Sequence, residues 1–262
     1  NYVTVANCTM QDTYHGIRSV GNNNNYNNNM IRRTYATGAM LIDNNTIFEY
    51  NTLENIALKK GMGETGWGYF GVRSSGQNTI IRGNRFDHIG YSPIIIDANQ
   101  LVEKNVMSNY SEILNDGGGI AFDNTDGVVI QDNIIRDAIG GIDGCATTNP
   151  VHCQPMGVGI YFGNRSNVNA TVQRNTISNV SQYGINVDHC MNAINHKIKY
   201  NTMFNCGIGI CASDYSNATG PYAVSPFFVA AYNDEYVGNV VYGITKDQLC
   251  LKVFNCHGHP FV

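Results

Sequence analysis

The chain has 262 residues and a mass of 28.8 kDa, enough for one elongated domain with a continuous core. Its net charge is -4 with only 14% of residues charged, and it has no basic run, so nucleic acid is not an expected partner. No apolar run approaches membrane-spanning length, and 28 glycines argue against long helices.

An asparagine-centred phrase organises what remains. In chain order its copies read YVTVANCTMQD (2–12), YNNNMIRR (26–33), NNTIFEYNTLEN (44–55), NTIIRGNRFDHIG (78–90), NQLVEKNVMSN (99–109), GVVIQDNIIRDAIG (127–140), NATVQRNTISNV (169–180) and NHKIKYNTMFNCG (195–207). Their central asparagines align as Asn7, Asn29, Asn51, Asn84, Asn105, Asn133, Asn175 and Asn201, with steps running from 21 to 42 residues. A short period interrupted by insertions is the mark of a solenoid.

Inside each copy the alternation has period two. Around Asn133, residues Val128, Ile130, Ile135 and Ala138 take one side while Gln131, Asp132 and Arg136 take the other; Ile120 and Phe122 then alternate with Ala121 and Asp123. That is strand behaviour. The repeat is too short for a strand plus a crossover helix and suits three short strands separated by tight bends. The expectation is an all-β solenoid of eight to nine turns. Asparagine tolerates the left-handed backbone region and bonds its local backbone, so the asparagine column is read as a stacked bend whose amides satisfy one another. A second column, Ile17, Met40, Val72, Ile94, Ile120, Ile160, Ile185 and Ile210, is expected to be core. So is the position two residues on, Ser19, Ile42, Ser74, Ile96, Phe122, Phe162, Val187 and Ala212.

Three insertions interrupt the repeat. Residues 59–69 carry the single tryptophan among glycines, residues 111–119 end in Asp116 and three glycines, and residues 140–157 carry Asp143 and His152. Aromatic groups on such loops suit a sugar face. Candidate substrate contacts are Trp67, Tyr69, Arg73, Glu112 and Tyr161, with Trp67 equally able to plug the side of the rod. Candidate acid–base groups are Asp116, Asp143, Asp188 and His189, because glycoside hydrolysis needs two carboxyls about a scissile bond. Elimination would instead need a base and a cation to neutralise a uronate; Arg73, Lys59, Lys60 and His189 are candidates for that version, with calcium at Asp97 or Asp123. Hydrolysis would require no cofactor.

Eight cysteines fit an oxidising compartment, with Cys145–Cys153 and Cys250–Cys256 as candidate staples and Cys206 as a buried thiol in an inward column. Sequons begin at Asn7, Asn44, Asn109, Asn164, Asn169, Asn179 and Asn217, favouring a secreted or cell-surface protein bearing glycans. The regular turns span 2–212 of a single domain, 214–235 reads as an excursion, and 236–262 as one further turn and a terminal segment, the whole compatible with a piece of a longer protein. Solenoid ends need cover, so copies of the chain or flanking domains are expected there.

The phrases NNTI, GNRFDHIG, DGGGIAF and RNTISNVSQYGI resemble the right-handed parallel β-helix (pectate-lyase-like) superfamily over roughly residues 2–212. The resemblance implies a right-handed parallel coil, and a polysaccharide or other glycan bound in a groove along its side. It selects no activity, since this scaffold serves many. Three readings therefore stand: a polysaccharide hydrolase or lyase, a structural or adhesive solenoid segment, and a non-catalytic carbohydrate-binding module.

Overall fold

A computed structural model describes residues 2–141, 155–163, 166–188, 192–213 and 229–254. Among them the chain is an all-β, right-handed parallel β-helix of nine turns, every strand pairing in parallel with its counterpart one turn away. Each turn has three faces. The first face begins at Thr4–Ala6 and ends at Glu235–Val237, and the second runs from Thr9–Gln11 to Val240–Tyr242. The third runs from Ile17–Asn22 to Leu249–Phe254, and merges with the second in the twelve-residue strands Thr176–Val187 and Thr202–Ser213. A short fourth ribbon, from Thr125–Asp126 to Val229–Tyr232, follows the third face in the later turns.

The asparagine ladder joins the first face to the second. Asn29, Asn51, Asn84, Asn105, Asn133, Asn175 and Asn201 are buried, and each side-chain oxygen accepts the backbone N–H of its counterpart one turn earlier. Each amide nitrogen also donates to a backbone carbonyl of the preceding turn, as Asn84 Nδ2 does to Phe48 O at 2.9 Å. Two expectations are corrected here. Asn7 is not a rung: it is exposed and left-handed (φ 56°), and Cys8 occupies the rung position, its N–H bound by Asn29 Oδ1 at 3.0 Å. Nor do the rungs themselves make the bend. The left-handed residue is the one before each rung, including Asn28, Tyr50, Lys104, Asp132, Arg174 and Tyr200. The ladder also continues past its expected end, to Asn239, which accepts the Asn201 N–H at 3.0 Å.

The third face holds the predicted core column with one shift of register. Ile17 pairs with Ala39, not Met40, and Ser19 with Leu41, not Ile42. Leu41 is fully buried and Ile42 is 43% exposed. Gly16, Gly38, Gly71, Gly119, Gly159, Gly184 and Gly209 each precede the first inward residue of their turn on this face. A Cβ on Gly159 would sit on the Gly184 carbonyl oxygen and 2.6 Å from Ile177 Cγ2, so the close stacking of turns at this corner excludes any side chain. Cys206 is buried, and burial pushes its thiol up to about 12. Among the described residues Cys250 is an exposed thiol; Cys145, Cys153 and Cys256, and with them both expected staples, lie outside the described residues. At the C-terminal end Leu249, Leu251 and Val253 are about half exposed, because no described turn stacks upon them as they stack upon Ile208, Ile210 and Ala212.

Candidate functional site

Alternation on the third face turns Ile94, Ile120, Ile160 and Ile185 inward, which sends Ile95, Ala121, Tyr161 and Asn186 outward in register. These outward positions are the floor over which the insertions close. On one side stand Trp67 and Phe70 from loop 57–71, Tyr91 and Ser92 from the bend before Ile94–Ile96, and Asp116. On the other stand Asp123 and Gly163, at the ends of their strands. Together with Ile95, Ala121, Phe122 and Tyr161 they line a cleft of about 340 Å³.

Local backbone rules explain how these groups are held. Asp116 is left-handed (φ 60°) and its N–H donates to Met156 O at 2.9 Å. Gly117 follows because a Cβ there would meet the Tyr91 ring at 2.5 Å and Ser111 Oγ at 2.9 Å. The Tyr91 hydroxyl donates to the Asp116 carbonyl at 2.7 Å, and its ring packs against Phe70 and Trp67, 5.7 and 5.8 Å away. Trp67 is 58% exposed, so it forms the lip of the cleft and does not plug the rod. Tyr161 donates to Asp188 Oδ2 at 2.6 Å, the short distance of a charge-assisted bond.

Electrostatics ties the acids to these hydroxyls. Burial first, then Asp188 and Asp116, holds Tyr161 well above the usual phenol range. Burial, then Asp116 and Asp123, raises Tyr91, while Tyr183 is pushed up to about 12 by burial, Cys211, Asp188 and Asp116. Tyr91 and Tyr161 are therefore neutral O–H donors at physiological pH, and Asp116, Asp123 and Asp188 all act on this one cluster.

Of the expected site residues, Asp116, Trp67 and Tyr161 meet at the cleft, and Asp188 joins through Tyr161. Asp143 and His189 lie outside the described residues. Tyr69 does not face the cleft: it is buried, and its hydroxyl accepts the Gly61 N–H at 2.8 Å, bracing the loop from within. Glu112 bonds His88 Nδ1 at 2.6 Å, Arg73 pairs with Asp97 at 3.4 Å, and Lys59 lies over the Tyr35 ring, so these are not cleft groups. Lys60 does not line the cleft either. Tyr91 and Phe70 carry no signal in the sequence, since nothing in the repeat marks a bend residue as facing outward; Asp123, expected outward and as a calcium candidate, lines the cleft. Among the described residues no three or more His, Cys, Asp or Glu side chains gather as a metal site; Asp97 pairs with Arg73, and Asp123 lines the cleft.

Of the sequon asparagines, Asn7, Asn44, Asn169 and Asn179 are exposed and Asn109 is half-buried; Asn164 and Asn217 lie outside the described residues. Several of these amides already bond along the corners, as Asn169 Nδ2 does to Asp126 at 2.6 Å and Asn179 Nδ2 to Asp137 at 2.9 Å.

Comparison with known proteins agrees with this geometry at the level of fold. No curated protein sequence matches the chain. Among solved structures, an alginate lyase from Paenibacillus sp. str. FPU-7 superposes with a TM-score of 0.61 at 12% identity, covering 94% of this chain and 76% of that one. The Dettilon tailspike protein superposes with a TM-score of 0.45 at 14% identity, covering 91% and 52%. The family model described as right handed beta helix region matches residues 15–219. The chain belongs to the right-handed β-helix family.

Proposed function

We propose that the protein binds a polysaccharide across its third face and hydrolyses it in the Trp67–Tyr161 cleft. The observation that carries this reading is the gathering of Asp116, Asp123 and Asp188 around the buried hydroxyls of Tyr91 and Tyr161, beneath an exposed tryptophan. Hydrolysis needs one carboxyl to protonate the leaving glycosidic oxygen and one to take a proton from the attacking water or to attack directly. Asp188 accepts the Tyr161 O–H, which fixes the orientation of its carboxyl for the role of base or nucleophile. Asp116, across the cleft in its left-handed turn, suits the acid. Trp67 supplies an apolar surface for a sugar ring.

Elimination on a uronate polymer is the second reading, favoured by the alginate lyase likeness. It needs a cation at the substrate carboxylate, whereas the described lining offers Asp116 and Asp123 and no Lys or Arg. A neutral polymer therefore fits better. The proposal includes an extracellular setting, supported by the exposed sequons.

The test is a panel of xylan, glucomannan, galactan, arabinan, pectate and alginate, assayed for reducing ends and for unsaturated, ultraviolet-absorbing ends. We expect reducing ends without unsaturation, and turnover reduced about 10²- to 10⁴-fold in Asp188→Asn and Asp116→Asn. Unsaturated ends would replace hydrolysis with elimination. Full activity in both variants would place the chemistry elsewhere. Retarded migration in polysaccharide gels without any cleavage would leave a non-catalytic binding protein.

A further inference from the structure

The outward column of the third face does not stop at the cleft. It runs in register from Arg18 through Met40, Arg73, Ile95 and Ala121 to Tyr161. On the N-terminal side of the cleft a second depression, of about 300 Å³, is lined by Met40, Ile42, Glu64, Thr65, Arg73 and Ser75. One loop walls both: residues 57–71 give Glu64 and Thr65 to this depression and Trp67 to the cleft. Glu64 also faces Arg18 at 3.7 Å and His15 at 3.8 Å.

We infer that this depression is a distal sugar subsite of the same groove, taking a neutral hexose or pentose unit of the polymer. The inference rests on the polysaccharide reading above and names the substrate class. Its charges are opposed in place: Arg73 by Asp97 at 3.4 Å, and Glu64 by Arg18 at 3.7 Å. Such a site has little net field with which to hold an anion. It presents planar carboxylate and guanidinium groups, which bridge adjacent hydroxyls, beside the apolar surface of Ile42 and Met40. Two to three strand spacings, about 10 to 14 Å, separate it from the cleft. A long oligosaccharide reaches both sites, and a disaccharide fills only one.

The experiment compares wild type with Ile42→Asp and Arg73→Ala on oligosaccharides of graded length, cut from whichever panel polymer is cleaved. In parallel it measures the retardation of each protein in gels containing each neutral polymer. For wild type, kcat/KM rises with chain length by about tenfold, equivalent to about 1.4 kcal/mol of subsite binding. In both variants that gain disappears through KM, and gel retardation weakens. Chain-length dependence and retardation unchanged in both variants would overturn the subsite while leaving the cleft intact. Retardation that depends on Ile42 and Arg73 without any cleavage would keep the subsite and remove the catalytic reading. No cleavage and no retardation by any neutral polymer would remove both, as would a length gain confined to uronates.

Discussion

Replacing Asn133 by alanine tests the ladder at a buried rung within the rod. Asn133 Oδ1 accepts the Asn105 N–H and the Asn105 amide, both at 3.0 Å, while its Nδ2 donates to Val102 O and Gln131 O at 3.0 Å and to Asn175 Oδ1 at 2.9 Å. The residue is 1% exposed, so water does not stand in for what is removed. Asn105 Nδ2 keeps Ile81 O, and Asn175 Oδ1 keeps the Asn133 N–H. The Asn105 N–H and one hydrogen of the Asn105 amide lose their acceptor in the middle of the rod, while the Val102 carbonyl stays in the strand ladder. At about 1–3 kcal/mol for each buried group left unsatisfied, the loss is about 2–6 kcal/mol, a large share of the roughly 5–15 kcal/mol by which domains are usually stable. Asn133→Asp restores the acceptor but not the donors and buries a charge, so it does not rescue. Asn7→Ala, outside the ladder and exposed, loses only about 1 kcal/mol, the cost of alanine at a left-handed φ. Urea unfolding followed by far-ultraviolet circular dichroism measures all three. Equal midpoints for Asn133→Ala and Asn7→Ala would refute the claim that the rungs hold the turns together.

Other outcomes follow from particular contacts. Gly159→Ala drives a methyl into the Gly184 carbonyl and Ile177 and lowers the urea midpoint by the equivalent of about 1–3 kcal/mol, whereas Gly66→Ala, with nothing within 4 Å, leaves it unchanged. Tyr161→Phe removes one charge-assisted hydrogen bond from Asp188 and lowers kcat about 10- to 100-fold, with the fold intact by circular dichroism. At the C-terminal end burial raises Asp234 from 3.8 to about 7 and lowers His196 from 6.5 to about 4. The Asp234 contribution is whole below pH 3.8 and is lost as pH rises through about 7; that of His196 is whole above pH 6.5 and is lost as pH falls through about 4. The two slopes oppose in wild type. In Asp234→Asn the urea midpoint falls as pH is lowered from 6.5 towards 4, and a flat profile in that variant would contradict the assignment.

What could be read before the structure depended on how much each residue's neighbours repeat. The ladder and the inward isoleucines announce themselves because a stacked coil puts the same demand on the same position in every turn. The two register slips fall where that demand is silent. In Gly38-Ala-Met-Leu-Ile42 both parities are apolar, so alternation cannot distinguish Leu41 from Ile42 as core. At the first turn, Asn7 stands beside Cys8, and the asparagine belongs to the left-handed corner. The cleft was legible only in part. Asp116 and Trp67 stood out as an acid before three glycines and a lone indole in an insertion. Tyr69 carries the same signal as Trp67, yet its ring turns inward, because a short loop needs its own internal brace. Tyr91 lies at a bend that no periodicity describes, and its role depends on Gly117 leaving room for the ring.

The crystal structure of Asp116→Asn with an oligosaccharide from the cleaved polymer tests the central claim most directly. A sugar ring against Trp67, with a glycosidic oxygen within hydrogen-bonding reach of the substituted side chain at position 116 and the neighbouring anomeric carbon facing Asp188, is the predicted result. A glycan bound to another face, with Trp67 and Tyr161 untouched, would contradict it.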